Sequence, residues 1–487
     1  MEGIAVEAAP GTLDADVRGL AYDSRLVRPG DVYFAFPGAR TDGRLYAPSA
    51  LAHGAVAVVS ELPPLEGFHG PWIRVGHARQ ALALMSRRFY REAAEAIALT
   101  GATGTNGKST TCVLVDTLLR TAGHTTALIG TIHYHVAGEM RKAVNTTPES
   151  LDIYRLLEEL RAAGGTHATM EVSSHALALG RVHGFRFHSA LFTNLTRDHL
   201  DFHTTMENYF AAKCELFRGQ EAEPPKYAVL NADDDWAHRI PVAAETQTIW
   251  YGLSGQAALR AERVKASFEG LKFDLTWEGR TVEISSPLIG RMNVYNILAA
   301  CGTGLSYGMG LEKVAEGIGA CRSVPGRFER VEAGQPFLVV VDYAHTDDAL
   351  RNAIAAARGL DPRRVITVFG CGGDRDRAKR PLMGQAAGEA SDFVVLTSDN
   401  PRSEDPLTII NDALVGLRRT DVEHRVEADR TTAIRIALEE AQEGDVVLIA
   451  GKGHETYQVL RDRTIDYDDR EVARRILEES GFARRRV

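Results

Sequence analysis

The run Gly101-Ala102-Thr103-Gly104-Thr105-Asn106-Gly107-Lys108-Ser109-Thr110 constrains this chain more than any other feature. It follows a short apolar stretch, Ile97–Leu99, and opens a helix-like segment, Thr111–Arg120, so it sits between a strand and a helix. That is the context a phosphate-binding loop needs. Small residues let backbone N–H groups wrap the anion, Lys108 brings a point charge to the terminal phosphates, and the Ser109 hydroxyl can sit on Mg²⁺. Gly104, Thr105, Asn106, Gly107 and Thr110 complete the predicted ATP-binding set. The general pattern asks for Gly where Ala102 stands, which argues against a generic P-loop kinase or GTPase. A glycine-rich turn with an incidental lysine is the bland alternative, and the flanking strand and helix disfavour it.

The rest of the chain is that of a large enzyme. A length of 487 residues suggests about three domains. A net charge of −9 makes a nucleic-acid surface unexpected, although a local basic pocket for phosphates is compatible with it. The N-terminal residues lack a basic start followed by an apolar core, so no signal peptide is expected. The longest apolar runs, such as Phe337–Val341 and Val446–Ala450, are too short to span a bilayer. Five dispersed cysteines with no CxxC pair suit reduced thiols, and a cytoplasmic location follows as an expectation.

Three α/β segments are predicted: 1–93, 94–323 and 324–487. The first carries strand-like runs at Asp31–Phe36 and Ala55–Val59 and a helical pattern at Ala78–Arg91. In the second, strand-like runs at His167–Val172, Ala190–Thr193 and Tyr227–Leu230 alternate with helical patterns, which implies a mainly parallel sheet. Lys265–Ile284 instead alternates and turns at Glu269-Gly270 and Glu278-Gly279, which reads as an antiparallel meander. The third segment begins near Ser323–Arg327. Its strands at Phe337–Val341, Val365–Phe369, Phe393–Leu396 and Val446–Ala450 predict a smaller Rossmann-like sheet.

GTNGKST (104–110), EVSSHALALGRV (171–182), TNLTRDHLDFH (193–203), AAKCELF (211–217), GRMNVYN (290–296), VPGRFE (324–329) and DYAHT (342–346) resemble, in order, the signature set of the Mur ligase family. YDSR (22–25) and GARTDG (38–43) resemble the family's N-terminal UDP-binding domain. GCGGDRDRAKRPLM (370–383), SDNPRSEDP (398–406) and AGKGHETYQ (450–458) resemble the members that add the third residue of the peptidoglycan stem. The resemblance implies an ATP-dependent amide-bond ligase that joins meso-2,6-diaminopimelate to UDP-N-acetylmuramoyl-L-alanyl-D-glutamate through an acyl phosphate. The alternatives are the same ligase taking L-lysine, a folylpolyglutamate synthase, or a non-enzymatic nucleotide-binding module. A monomer acting on small molecules is expected, with no nucleic-acid partner.

The chemistry brings two negative groups together, so positive charge must be concentrated where they meet. Lys108 and Mg²⁺ supply it, with Ser109 and Glu171 as oxygen ligands of the type Mg²⁺ prefers. By resemblance, His199 binds a second Mg²⁺ and Lys213 is carbamylated to N6-carboxylysine. Read bare, Lys213 on its helical pattern is a solvated-face lysine. The resemblance also assigns Asn293, Arg327 and Asp342 to the nucleotide, and if the last two touch ATP, domain closure completes the site. Asn293 can equally be a helix N-cap ahead of Val294–Leu305.

Ser24, with the Ala39-Arg40-Thr41 loop, and Asn145, Thr146, Thr147, Ser173 and Arg181 are the candidates for UDP-sugar and peptide contacts. Leu179 stands where the family often has Gln, which removes one expected hydrogen bond. In the third segment, Asp399, Asn400, Pro401 and Arg402 resemble the motif of the diaminopimelate-adding members. Arg375 and Arg402 can clamp a distal carboxylate, Asp399 and Glu455 can accept from an ammonium, and Gly451 offers a close approach.

Overall fold

The computed structural model describes residues 4–8, 12–38 and 41–482. The chain forms two compact units, Met1–Ala258 with Ala299–Met309, and Leu259–Leu298 with Gly310–Val487. The fold is mixed α/β, as the alternation of strand and helix patterns predicts. Among the described residues no helix is long and apolar enough to cross a membrane.

The first unit holds two sheets. The N-terminal one has five strands, ordered Ala5–Ala8, Trp72–Val75, Ala57–Ser60, Asp31–Phe34 and Gly19–Ala21, and it is parallel except for the first pair. The predicted helix at 78–91 is two helices, Ala78–Phe89 and Arg91–Ala96, broken at Tyr90. In the other sheet Gln247–Gly252, Tyr227–Asn231, Ser189–Phe192, Ala98–Thr103, His167–Glu171 and Thr126–Ile129 lie side by side and parallel. The hairpin His133–Val136 and Glu139–Lys142 extends it antiparallel, an addition that periodicity did not reveal. The parallel strands are buried on both faces, with Leu99, Ile129, Met170, Phe192 and Leu230 in one core. Glu171 pairs in register with Ala102, so the end of its strand lies beside the start of the phosphate-type loop.

The second unit contains the antiparallel meander, Leu259–Ser267, Gly270–Trp277 and Arg280–Ser286. Its second turn uses Glu278 and Gly279, both at positive φ (49° and 76°), as tight hairpins require. The six-stranded sheet runs Glu329–Val331, Leu338–Asp342, Val446–Ala450, Val365–Cys371, Phe393–Ser398 and Glu423–Val426, parallel after the first strand. Continuous apolar runs such as Val446–Ala450 are wholly buried because helices cover both faces. Asp342, Asp399 and Gly451 all lie at or just beyond the C-terminal ends of these parallel strands, where ligands of open α/β sheets bind.

Candidate active site

The loop at 104–107 is shaped by its glycines. Gly104 has φ +145°, and a Cβ there would collide with Thr193 Oγ1; Gly107 has φ +87° and caps the helix Lys108–Thr121. The segment after strand Ser189–Phe192 holds the loop from below. Thr193 Oγ1 donates to Asn106 O (2.6 Å), Asn106 N donates to Asn194 Oδ1 (3.0 Å), and Thr105 Oγ1 meets Thr196 O (3.2 Å) and Tyr209 Oη (3.1 Å). Lys108 Nζ arches over the loop to the carbonyls of Gly104 (2.9 Å) and Thr105 (2.8 Å). Ser109 and Thr110 are buried in the first turn. A rigid loop, a lysine and a helix N-terminus converge here, an arrangement suited to phosphate.

Glu171, almost wholly buried, accepts from Ser109 Oγ (3.0 Å), Thr131 N (2.7 Å) and Thr131 Oγ1 (3.1 Å). A Cβ at Gly130 would run into its Oε1, so Gly130 is what admits the carboxylate. The Ser109–Glu171–Thr131 group is all oxygen, the donor chemistry of Mg²⁺. Among the described residues no group of three or more His, Cys, Asp and Glu side chains could hold a metal ion. An ion here would therefore take most of its ligands from phosphate and water, as Mg²⁺ usually does.

Lys213 departs from the solvated-face reading. On helix Met206–Arg218 it faces inward, is 1% exposed, donates to Gly104 O (2.8 Å) and lies 4.4 Å from the centre of the Tyr209 ring. Burial, with Lys108 nearby, holds its pKa well below the ordinary lysine value. His199 has φ +52° and ring contacts with His175 (4.9 Å) and Tyr209 (6.0 Å). Desolvation lowers the pKa of His199, which favours the neutral ring that ligates metals. His203, bonded to Ser174 Oγ (2.9 Å), is pushed down to about 4 by the same cause.

Thr147 organises the neighbouring turn. Its Oγ1 donates to Glu171 O (2.9 Å) and accepts from Ser173 N (3.0 Å), while its carbonyl accepts from Arg181 Nη1 (2.9 Å). Thr146 Oγ1 meets Thr131 Oγ1 (3.0 Å), Asn145 N donates to Tyr134 Oη (3.0 Å), and Ser173 caps helix Ser174–Ala178. The structure thus joins Thr146, Thr147, Ser173 and Arg181 to the Glu171 cluster. Glu149, which the sequence reading missed, bridges Arg181 (3.1 Å) and Arg79 (3.3 Å) from a nearly buried position. Ser24 begins a 3₁₀ turn capped by Asp23, and its side chain is buried. Thr41 contacts Tyr46, whereas Ala39 and Arg40 lie outside the described residues.

In the second unit, Asn293 is not an N-cap. The helix begins at Met292, and Asn293 lies inside its first turn, donating to Ile289 O (2.7 Å) and accepting from Asn296 (2.9 Å). Asp342 accepts from Phe328 N (2.7 Å) and Ala344 N (2.9 Å), and desolvation raises its pKa against the pull of Arg327. Arg327 lies over the Tyr343 ring (4.8 Å).

The 399–402 motif forms a second cluster in this unit. Arg402 sits at φ +53°, donates to Gly373 O (2.7 Å) and flanks Gly372, where a Cβ would meet both Arg402 Nη1 (2.9 Å) and Arg375 Cγ (3.7 Å). The two arginines therefore flank Gly372, and neither forms an ion pair with a carboxylate among the described residues, although the charge of Arg402 helps to lower the pKa of Asp374. Asp399 and Asn400 are buried with Pro401, and Asn400 Nδ2 donates to Glu455 Oε2 (2.8 Å). Gly451 has φ +116°, and a Cβ there would press on Asp399 Oδ2 (2.7 Å). Lys452, also missed by the sequence reading, is fully buried between Asn400 and Glu455.

Comparison with known proteins places these clusters in a family. Residues 16–90 match the Mur ligase family catalytic domain, 102–304 the Mur ligase middle domain, and 326–453 the Mur ligase glutamate ligase domain. The chain is 64% identical over 474 residues to a UDP-N-acetylmuramoyl-L-alanyl-D-glutamate--2,6-diaminopimelate ligase of Solibacter usitatus, covering 97% of this chain and 96% of that protein. A protein of the same name from Syntrophomonas wolfei is 43% identical, with 98% of each chain covered. A solved structure of a ligase with this name superposes with a TM-score of 0.70 at 34% identity, covering 96% of this chain and 95% of the other. The chain belongs to the Mur ligase family.

Proposed function

We propose that this protein is an ATP-dependent carboxylate–amine ligase that adds meso-2,6-diaminopimelate to UDP-N-acetylmuramoyl-L-alanyl-D-glutamate in peptidoglycan synthesis. The observation that carries the choice of amino acid is that Arg375 and Arg402 flank Gly372, while Tyr457 feels the charges of Arg402, Glu455 and Asp399 together. A carboxylate and an ammonium on one small molecule complement such a pocket.

In this reading residues 104–110 hold the ATP phosphates and Lys108 offsets charge as the γ-phosphoryl moves to the substrate carboxylate. Ser109 and Glu171 hold Mg²⁺, and His199 a second ion; the metal supplies charge neutralisation between phosphate and carboxylate. In its neutral form, which burial and Lys108 favour, the Lys213 amine can attack CO₂: an N–C bond forms as a C=O π bond opens, a proton leaves the nitrogen, and the amine becomes a carboxylate-type carbamate. Asn293, Arg327 and Asp342 serve the nucleotide. Ser24, Asn145, Thr146, Thr147, Ser173 and Arg181 serve the UDP-sugar peptide. Asp399, Asn400, Pro401, Gly451 and Glu455, with the two arginines, receive the incoming amino acid. The domains are 1–93, 94–323 and 324–487, and the enzyme works as a cytoplasmic monomer without nucleic acid.

The test is phosphate release by the purified protein with ATP, Mg²⁺ and UDP-N-acetylmuramoyl-L-alanyl-D-glutamate, with each amino acid offered in turn. Release that requires meso-diaminopimelate supports the reading. Equal release with L-lysine, or release that requires a folate instead, overturns it.

A further inference from the structure

We propose that Lys452 is a positioning residue of the amino-acid pocket: its buried ammonium fixes Asn400 and Glu455 and leaves the pocket one net negative charge for one ligand ammonium. The inference rests on the acceptor reading above. Lys452 follows strand Val446–Ala450 and is 0% exposed. Its Nζ donates to Asn400 Oδ1 (3.2 Å) and Glu455 Oε2 (3.2 Å), and stands 3.9 Å from Asp399 Oδ1. A lysine is rarely placed so deep unless its charge is matched and its protons are accepted.

The contacts form a closed set. Asn400 Oδ1 also accepts from Val459 N (2.9 Å), which settles the orientation of the amide and turns Nδ2 to Glu455 Oε2 (2.8 Å). Glu455 Oε2 therefore takes two donors, and its other oxygen is bonded to no described residue. Counted formally, Asp399 and Glu455 carry two negative charges and Lys452 one positive. Arg430, another buried cation near Asp399, is matched by Asp469 in two contacts of 2.7 Å. One charge remains for a ligand cation, while Arg375 and Arg402 offer the complement to a carboxylate. Without Lys452 the charges of Asp399 and Glu455 would lose the ammonium between them, and the Asn400 amide would lose one of the three contacts that orient it.

The experiment uses full-length enzyme at saturating ATP and UDP-dipeptide. Lys452→Met is expected to raise KM for meso-diaminopimelate about tenfold or more, with KM for ATP within about twofold of wild type. Glu455→Gln should raise the same KM, and the double variant should be no worse than the worse single one, because both break one unit. Lys452→Gln, which keeps an N–H donor without the charge, stands in if the Met variant fails to fold and should show the same KM-selective loss. An unchanged KM in a folded variant, multiplying effects in the double variant, or a uniform loss in kcat and all three KM values overturns the proposal. A wild-type enzyme that ignores diaminopimelate would instead defeat the acceptor reading, and that is seen before any variant is made.

Discussion

Lys213 and Lys108 donate to the same carbonyl oxygen, that of Gly104, at 2.8 and 2.9 Å. One lysine lies at the head of the helix that follows the loop, and the other reaches up from helix Met206–Arg218. Two ammonium groups sharing one acceptor repel, and the more deeply buried one loses its proton more easily. Lys213 is that one, and its lowered pKa has burial and Lys108 as its causes. In the proposed mechanism the pair separates into a charge kept for phosphate and an amine available for chemistry.

Removing the first member should stop phosphoryl transfer. Lys108→Ala is expected to lower kcat by at least about 10²–10³-fold, the usual loss for one charge-stabilising donor, with circular dichroism unchanged. Near-normal turnover at saturating ATP would sink the phosphate-loop assignment.

Removing the second should leave a defect that chemistry can repair. Lys213→Ala is expected to be nearly inactive, and added short carboxylates such as formate or acetate should restore part of the activity by replacing the carbamate. A fully active alanine variant would leave Lys213 with a packing role alone.

Stability should move the other way. The folded pKa of Lys213 lies below the ordinary value of 10.5, so between the two the unfolded chain binds a proton that the native one does not. Stability therefore rises with pH across that window, and the penalty is full below the folded pKa. Lys213→Met should flatten this contribution and raise the thermal midpoint at neutral pH while abolishing ligation. Thermal melts from pH 6 to 10 check it; a lower midpoint for the Met variant would show that the amine is not a burden on the fold.

How much of this was legible in the sequence depended on how local the cause was. The loop at 104–110 was readable because strand, glycines and helix are contiguous, and the meander because its turns carry Glu278-Gly279 and an alternating pattern. Fully buried strands such as Val446–Ala450 announce themselves as apolar runs. Lys213 and Lys452 did not: a lysine's default is solvent, and only the packing of distant segments shows both to be buried. Glu149 was invisible for the same reason, since Arg79 lies 70 residues away. The N-cap alternative for Asn293 missed by two positions, because the helix starts one residue before it and its side chain bonds back to Ile289.

The cradle of Glu171 gives a test that leaves every polar group in place. A Cβ at Gly130 would meet Glu171 Oε1, while the Gly130 backbone is not in the left-handed region that alanine avoids. Gly130→Ala should displace the carboxylate from Ser109 and Thr131 and raise the Mg²⁺ concentration needed for half-maximal activity by about tenfold, in the range seen when a metal's supporting residues are changed. A Mg²⁺ titration with unaltered midpoint would mean that Glu171 is not a metal ligand.

The proposed selectivity turns on Arg402. Its guanidinium donates to Gly373 O and forms no ion pair among the described residues, although its charge reaches Asp374, and Arg375 stands across Gly372 from it. The residue holds φ +53°, a costly conformation for arginine, within a loop tied down by Arg402 N to Val459 O (3.0 Å) and by Ser403 Oγ to Asp374 (2.6 Å). That ordering keeps a fork-shaped donor ready for a distal carboxylate. L-lysine lacks the carboxylate and would leave the half-buried Arg402 without its proposed ligand partner. Sites built around such a partner reject the analogue by roughly 10⁴-fold, so kcat/KM for meso-diaminopimelate should exceed that for L-lysine by about this factor. Arg402→Ala should remove most of the preference while leaving KM for ATP within about twofold, because the proposed role of the residue lies in the acceptor pocket alone. Competition kinetics with both amino acids reads the ratio directly. Equal use of the two by the wild type, or an Arg402→Ala enzyme with its preference intact, would show that the carboxylate is recognised elsewhere, and the phosphate loop and Glu171 cluster would stand unaffected because they rest on other residues.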